Sequence, residues 1–172
     1  IEEGGRFERL GLGVLSLDSG ETWDVGARSQ FQLPEGWYRL DARNQLLRRA
    51  LTPAALEKFR IENGLEHRQL IALEAGHAVC KIAVVDELNR PVHNYFLRLR
   101  PDDSDEWTVW AGTLSRSADI FAMVREGTTY QMEVDAIGCR PIHTRIVPQR
   151  SDAAAARCDD ITVVVQEKLT SY

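Results

Sequence analysis

The sequence predicts an all-β protein of two tandem antiparallel β-sandwich modules, and three observations carry that prediction. The first is an internal echo: Glu126 to Ala136, EGTTYQMEVDA, repeats the plan of Glu35 to Ala42, EGWYRLDA. Each copy reads Glu-Gly, then a Tyr, then a strand closing on Asp-Ala. Gly supplies the positive φ a tight turn needs, and the alternation after it suits a half-buried strand. The second is facial segregation at a period of two. Tyr130, Met132, Val134 and Ala136 share one face while Gln131, Glu133 and Asp135 share the other. In the first copy Tyr38, Leu40 and Ala42 oppose Trp37, Arg39 and Asp41. The third is the scarcity of helical signals, confined to short stretches at Thr52 to Phe59 and Ser151 to Ala156.

The bulk properties exclude several classes. A chain of 172 residues, 44% hydrophobic and 27% charged, has the composition of a globular protein and not of a disordered one. A net charge of -5 and no basic patch argue against a nucleic-acid surface, because Glu57 and Glu62 interrupt the cluster of Arg48, Arg49, Lys58 and Arg60. No apolar run approaches the ~20 residues that span a bilayer. The chain opens at Ile1 with neither an initiator Met nor a signal-peptide pattern, as a processed product or a piece of a longer protein would.

Taken in order, Phe7 to Leu17 alternates as a strand. Leu10, Leu12 and Val14 lie on one parity and Leu15 and Leu17 on the other, so a bulge is expected near Gly11 and Gly13. Asp18 to Glu21 is a turn, and Trp23 and Val25 carry the next strand. Phe31 and Leu33 lead to the Glu35-Gly36 turn and the Tyr38 strand. QLLRRALT, after Asn44, reads as extended. Thr52-Pro53 reads as an N-cap with proline in the first helical position, opening a helix to Phe59. Asn63-Gly64 is a hairpin signal, and His67 to Leu73 closes the first module as a strand.

From Gly76 the pattern restarts. HAVCKIAVVDELNRPVHNYFLRL gives a strand, a turn at Asp86 to Arg90 and a second strand. PDDSDEW is a charged hairpin end placed as DSGETW is in the first copy. WTVWAG, ADIFAMV, the Tyr130 strand, PIHTRIVP and Ile161 to Val165 complete the series. Trp23 aligns with Trp107, Phe31 with Phe121 and Tyr38 with Tyr130, the offset drifting as duplicated loops allow. The boundary falls near Ala75-Gly76: residues 1-75 form a partial module lacking its first strand, and residues 76-172 a complete one. The partial module should leave a sheet edge open. An upstream segment, a partner strand added by β-augmentation or a second copy of the chain would cover it, which makes Leu12 and Val14 candidate interaction residues.

The strings AVVDELNRPVHN, VREGTTYQMEVDAIGCRPI and DDITVVVQE resemble the carboxypeptidase regulatory-like, transthyretin-related family, which is prealbumin-like and Cna-B-like. In that family the first strand ends in a Val-x-Asp-x-x-Gly-x-Pro-Val turn. Val85, Asp86, Pro91 and Val92 fit it, with Asn89 standing where glycine is usual, a position that a left-handed Asn can tolerate. The resemblance covers Gly76 to Lys168, and more weakly Leu15 to Leu73. It implies a seven-stranded, Ig-like Greek-key sandwich in each module, acting as a non-catalytic accessory, spacer or binding domain beside enzymes, receptors and surface proteins. An extracellular or periplasmic, secreted setting goes with that reading.

Candidate chemistry is sparse. Related adhesin modules crosslink a first-strand Lys to a last-strand Asn or Asp under a buried Glu, which directs attention to Lys81, Glu133 and Asp159 or Asp160. The parity opposes it, because Val134 shares the face of Tyr130 and Glu133 faces away. Asp102, Asp103, Asp105 and Glu106 could gather around Ca²⁺ but lack the glycine and spacing of a calcium loop, so a solvated hairpin tip is the plainer reading. His67, His77, His93 and His143 show no metal-ligand spacing, and no nucleophile pattern accompanies them. No cofactor and no metal is expected. Cys80, Cys139 and Cys158 are too few for a disulfide scaffold; Cys139 and Cys158 are the candidate bridge, with buried free thiols as the alternative. Trp107 and Trp110 should lie on opposite faces of one strand, as should Trp37 and Tyr38. Trp37 or Trp110 therefore either fills an interface or stacks on a sugar, the latter making the chain a carbohydrate-binding module.

Overall fold

The computed structural model describes residues 11–24, 32–69, 71–111, 119–151 and 157–168. The expectations at Phe7, Leu10, Val25, Phe31 and residues 152–156 lie outside the described residues. Among the described residues the chain is all-β apart from one short helix and a 3-10 turn. It divides into two compact units, Ile1–His77 and Ala78–Tyr172.

In the first unit, β1 (Leu12–Ser16), β2 (Thr22–Asp24), β3 (Gly36–Ala42) and β4 (Phe59–Ile61) form one antiparallel sheet ordered β2-β1-β3-β4. β1 runs against β3 without interruption from Leu12 beside Ala42 to Ser16 beside Tyr38, so no bulge is present. Gly13 is there for another reason. A Cβ on it would sit 3.1 Å from the Trp23 carbonyl oxygen and 3.2 Å from the Thr22 methyl, so the close approach of β2 favours glycine. β1 is also an interior strand, paired on both sides, and Leu12 and Val14 are buried. Their burial on an interior strand argues against an exposed interaction role, and among the described strands the sheet edges are β2 and β4.

The segment expected to be extended is helix α1 (Gln45–Ala50). Asn44 caps it, its side chain accepting from the Leu47 amide at 2.8 Å, and Arg48 and Arg49 sit in the last turn where the helix dipole favours cations. Leu46, Leu47 and Ala50 are buried, so α1 gives this unit apolar surface that its strands alone do not supply. Thr52 is an N-cap as expected, but for a 3-10 turn, Pro53–Leu56, that ends before Phe59 enters β4. Of the stretch expected to be a closing strand, residues 67–69 and 71–72 are not strand, and Leu73 makes an isolated bridge with Leu51.

Among the described residues the second unit carries seven strands: β5 (His77–Val85), β6 (Tyr95–Pro101), β7 (Thr108–Ala111), β8 (Asp119–Arg125), β9 (Tyr130–Ala136), β10 (Ile142–Ile146) and β11 (Ile161–Val164). They make a four-stranded sheet, β10-β9-β6-β7, and a three-stranded sheet, β11-β5-β8. The expected antiparallel pattern holds in the larger sheet, whereas β11 pairs parallel to β5, Ile161 beside Ile82 and Val163 beside Val84. Alternate residues are buried on both sheets: Ala78, Cys80, Ile82 and Val84 on β5, Tyr95, Leu97 and Leu99 on β6, and Tyr130, Met132, Val134 and Ala136 on β9. Full burial of each large apolar side chain contributes roughly 1.5–3 kcal/mol, so these faces hold the sandwich together.

The turn after β5 is built around Asp86. Its Oδ1 accepts from the amides of Leu88 and Arg90 at 2.9 and 2.8 Å, and its Oδ2 from Arg90 Nε at 2.7 Å. The Arg90 amide above all, with the Arg90 side chain and the Leu88 amide, holds the Asp86 carboxyl below its ordinary range. Asn89 takes the expected left-handed conformation, φ 60°.

Candidate functional site

The outward face of the four-stranded sheet in the second unit is where exposed apolar and charged side chains meet. β6 turns Phe96 and Arg98 outward and β9 Glu133 and Asp135, because their neighbours in sequence are buried, and the exposed His143 on β10 pairs with Glu133 on the same face. Strand pairing sets Arg98 beside both Glu133 and Val109, and Glu133 beside His143. The Glu133 carboxylate binds the Arg98 guanidinium on one side and lies 3.3 Å from His143 Nδ1 on the other. Farther along, Arg100 donates to Gln131 at 2.9 Å, and Gln131 donates to Asp102 at 3.0 Å. Arg98 and Arg100 both stack on Trp107, each 5.0 Å from the ring centre. Phe96 (55% exposed) and Val109 (59% exposed) stand at the apolar end of this face. Together with Arg98, Glu133, Pro141 and His143 they line an open depression of about 470 Å³.

Several sequence expectations meet this geometry directly. Glu133 is committed to Arg98 and His143, away from Lys81. Lys81 instead lies 3.3 Å from Asp119 and 3.7 Å from Asp160, so a Lys–Glu–Asp crosslinking trio is not assembled. In the acidic hairpin end, Asp102 is held by Gln131 and Asp105 by Arg100; among the described residues no group of three or more His, Cys, Asp or Glu could hold a metal ion. His67 stacks on Phe59 at 4.7 Å, His77 Nδ1 lies 3.2 Å from the Glu74 carbonyl oxygen, and His93 is exposed. Trp37 is exposed as expected of an outward strand residue, but Lys58 Nζ covers its ring at 4.9 Å. Trp110 pairs with Leu97 in β7, and its side chain lies outside the described residues.

The three cysteines are buried free thiols, and the candidate Cys139–Cys158 bridge is absent. Register explains why. Cys139 pairs with Glu167 beyond the end of β11, whereas Cys158 sits before its start, beside Val79. The nine residues from Cys158 to Glu167 would cover roughly 30 Å at ~3.3 Å per residue if extended, far beyond the ~7 Å Cα separation a disulfide allows.

Phe96 and Val109 were not singled out from the sequence, although the alternation in YFLRLRP and TVWA carried the signal. The eye goes to tryptophan first, yet Trp107 is covered by two arginines while Phe96 stands clear.

The strands and this face define a β-sandwich protein with a mixed apolar and charged sheet surface. No family model matches the chain, and no curated protein matches it. Solved structures similar to it include a streptococcal ancillary pilin, 12% identical with a TM-score of 0.38, the match covering 93% of this chain and 57% of that one. A group B streptococcus pilus 2b backbone protein is 9% identical with a TM-score of 0.42, covering 86% and 56%. The shaft pilin of Lactobacillus rhamnosus GG is also 9% identical with a TM-score of 0.42, covering 94% of both chains. The chain thus spans just over half the length of the first two. Among the described residues no helix is long and apolar enough to cross a membrane.

Proposed function

We propose that this chain is a non-catalytic structural and interaction module, an accessory or assembly domain of a larger protein or complex. The observation that carries the reading is the outward face of β10-β9-β6-β7. There Glu133 is engaged by Arg98 and His143, and Arg100 by Gln131, while Phe96 and Val109 are left to solvent. Such a face offers apolar area and a polar surround to a protein partner, and no poised nucleophile or base. The reading keeps residues 76–172 as a complete module and residues 1–75 as a partial one, with protein–protein assembly as the role of both. Edge pairing, if used, falls to β2 or β4. A glycan stacked on Trp37 has to displace Lys58, so the carbohydrate-binding reading is the weaker of the two. A broad hydrolase screen on the whole chain tests the proposal. No turnover is expected; turnover abolished by substituting His67, His93 or His143 overturns it.

A further inference from the structure

We propose that Cys80 and Cys158 are a cross-strand thiol pair, closing into a disulfide between the first and last strands of the second unit when the chain folds in an oxidising compartment. Strand register carries this. β11 lies parallel to β5, and upstream of β11 the chain meets β5 again at a parallel bridge between Val79 and Arg157, one residue out of step with the β11 register. The Cys158 amide donates to the Val79 carbonyl at 2.9 Å. Cys80 follows Val79 and Cys158 follows Arg157, so beside that bridge the two occupy neighbouring positions on the face opposite Val79 and Arg157. That face is the core, and both cysteines are 0% exposed. Cys80 Sγ lies 3.7 Å from the carbonyl oxygen of Asp159, the residue next to Cys158. Neighbouring positions on paired strands stand about 5 Å apart, within the ~4.4–6.8 Å Cα range of disulfides. Cys139, at the far end of β11, is the odd thiol out.

The chemistry sets when the bond can form. In the folded protein, burial pushes the Cys80 thiol up to about 12 and raises that of Cys158 as well, so the thiolate that attacks a disulfide is scarce at neutral pH. Both sulfurs are also closed to solvent. Oxidation therefore belongs to folding, while the thiols are still hydrated. One cysteine thiolate attacks glutathione disulfide, forming a mixed disulfide and releasing one glutathione thiolate. The second cysteine thiolate then attacks the protein sulfur of that mixed disulfide, forms the Cys80–Cys158 bond and releases the second glutathione. The cysteine pair loses two electrons and two protons, and one glutathione disulfide is reduced to two thiols. The product ties the opening strand of the sandwich to its closing one, across nearly the whole unit.

The test uses the full chain, unfolded with reductant and refolded in a glutathione redox buffer. It is then denatured without reductant and alkylated. One alkylated thiol is expected, at Cys139, with Cys80 and Cys158 recovered as a linked peptide pair and the protein lighter by about 2 Da. Three alkylated thiols, or a linked pair that includes Cys139, overturn the proposal. The Cys139→Ala variant leaves the pair intact and serves as the second measurement. It should show no alkylatable thiol after oxidative refolding, and two in that variant equally overturn the idea.

Discussion

The backbone amide of Arg125, at the end of β8, donates to the hydroxyl of Tyr130, the first residue of β9, at 2.8 Å. The same ring fills the core, so one side chain fixes the Glu126-Gly127 turn from within. Tyr38 does the corresponding work in the first unit with the opposite polarity, its hydroxyl donating to the Pro34 carbonyl at 2.8 Å. Tyr130→Phe keeps the ring and strands the Arg125 amide. A loss of about 1 kcal/mol is expected, read as a lower denaturation midpoint at unchanged slope. Tyr130→Ala also empties the core position and should cost roughly 3–5 kcal/mol.

The Asp86 turn should be acid-sensitive. Its carboxyl is held below the ordinary 3.8, so its contribution is fully present above that pH and is lost as pH falls through the lower folded value. Asp86→Ala should lower the midpoint at neutral pH and flatten the dependence on acid below pH 4, as followed by denaturant titration. Asn89→Ala, at φ 60°, should cost about 1 kcal/mol, while Asn89→Gly should be tolerated.

Alkaline pH should unfold the reduced protein. Burial pushes Tyr95 from 10.0 up to about 12 and Cys80 from 9.0 up to about 12. Both are raised, so their contribution is complete below the unfolded values and drains away as pH climbs from there toward 12. Midpoints measured from neutral pH to about 12 should fall over that window, and Tyr95→Phe should blunt the fall. An unchanged profile in Tyr95→Phe counts against Tyr95 as a cause.

Helix α1 is the element most open to challenge by substitution. Leu47 is 0% exposed, and Leu47→Ala should cost roughly 2–5 kcal/mol. Asn44→Ala removes only the cap and should cost about 1 kcal/mol. If residues 45–50 formed a solvent-facing strand, neither change would matter to the unfolding curve.

What the sequence determined by itself is local. A period of two placed Tyr130, Met132, Val134 and Ala136 in the core and Glu133 outside it, because alternation is a property of one extended chain. Turn chemistry placed Asn89 in the left-handed region and Thr52 at a cap, each needing only its own neighbours. What the tertiary structure decided is adjacency. QLLRRA turns helical because Asn44 caps it and its apolar side chains find burial, which outweighs an extended reading of the same letters. Whether β1 is an edge or an interior strand depends on which segments return to it, and both β2 and β3 do. Cys158 comes to β5 near Cys80, and Cys139 to Glu167 past the far end of β11, because the chain before β11 meets β5 in parallel at Val79 and Arg157, a register written in no stretch of residues. Contacts between segments so far apart along the chain are fixed by burying many side chains at once, and that is why the candidate face and the thiol pair emerge only when the strands are assembled.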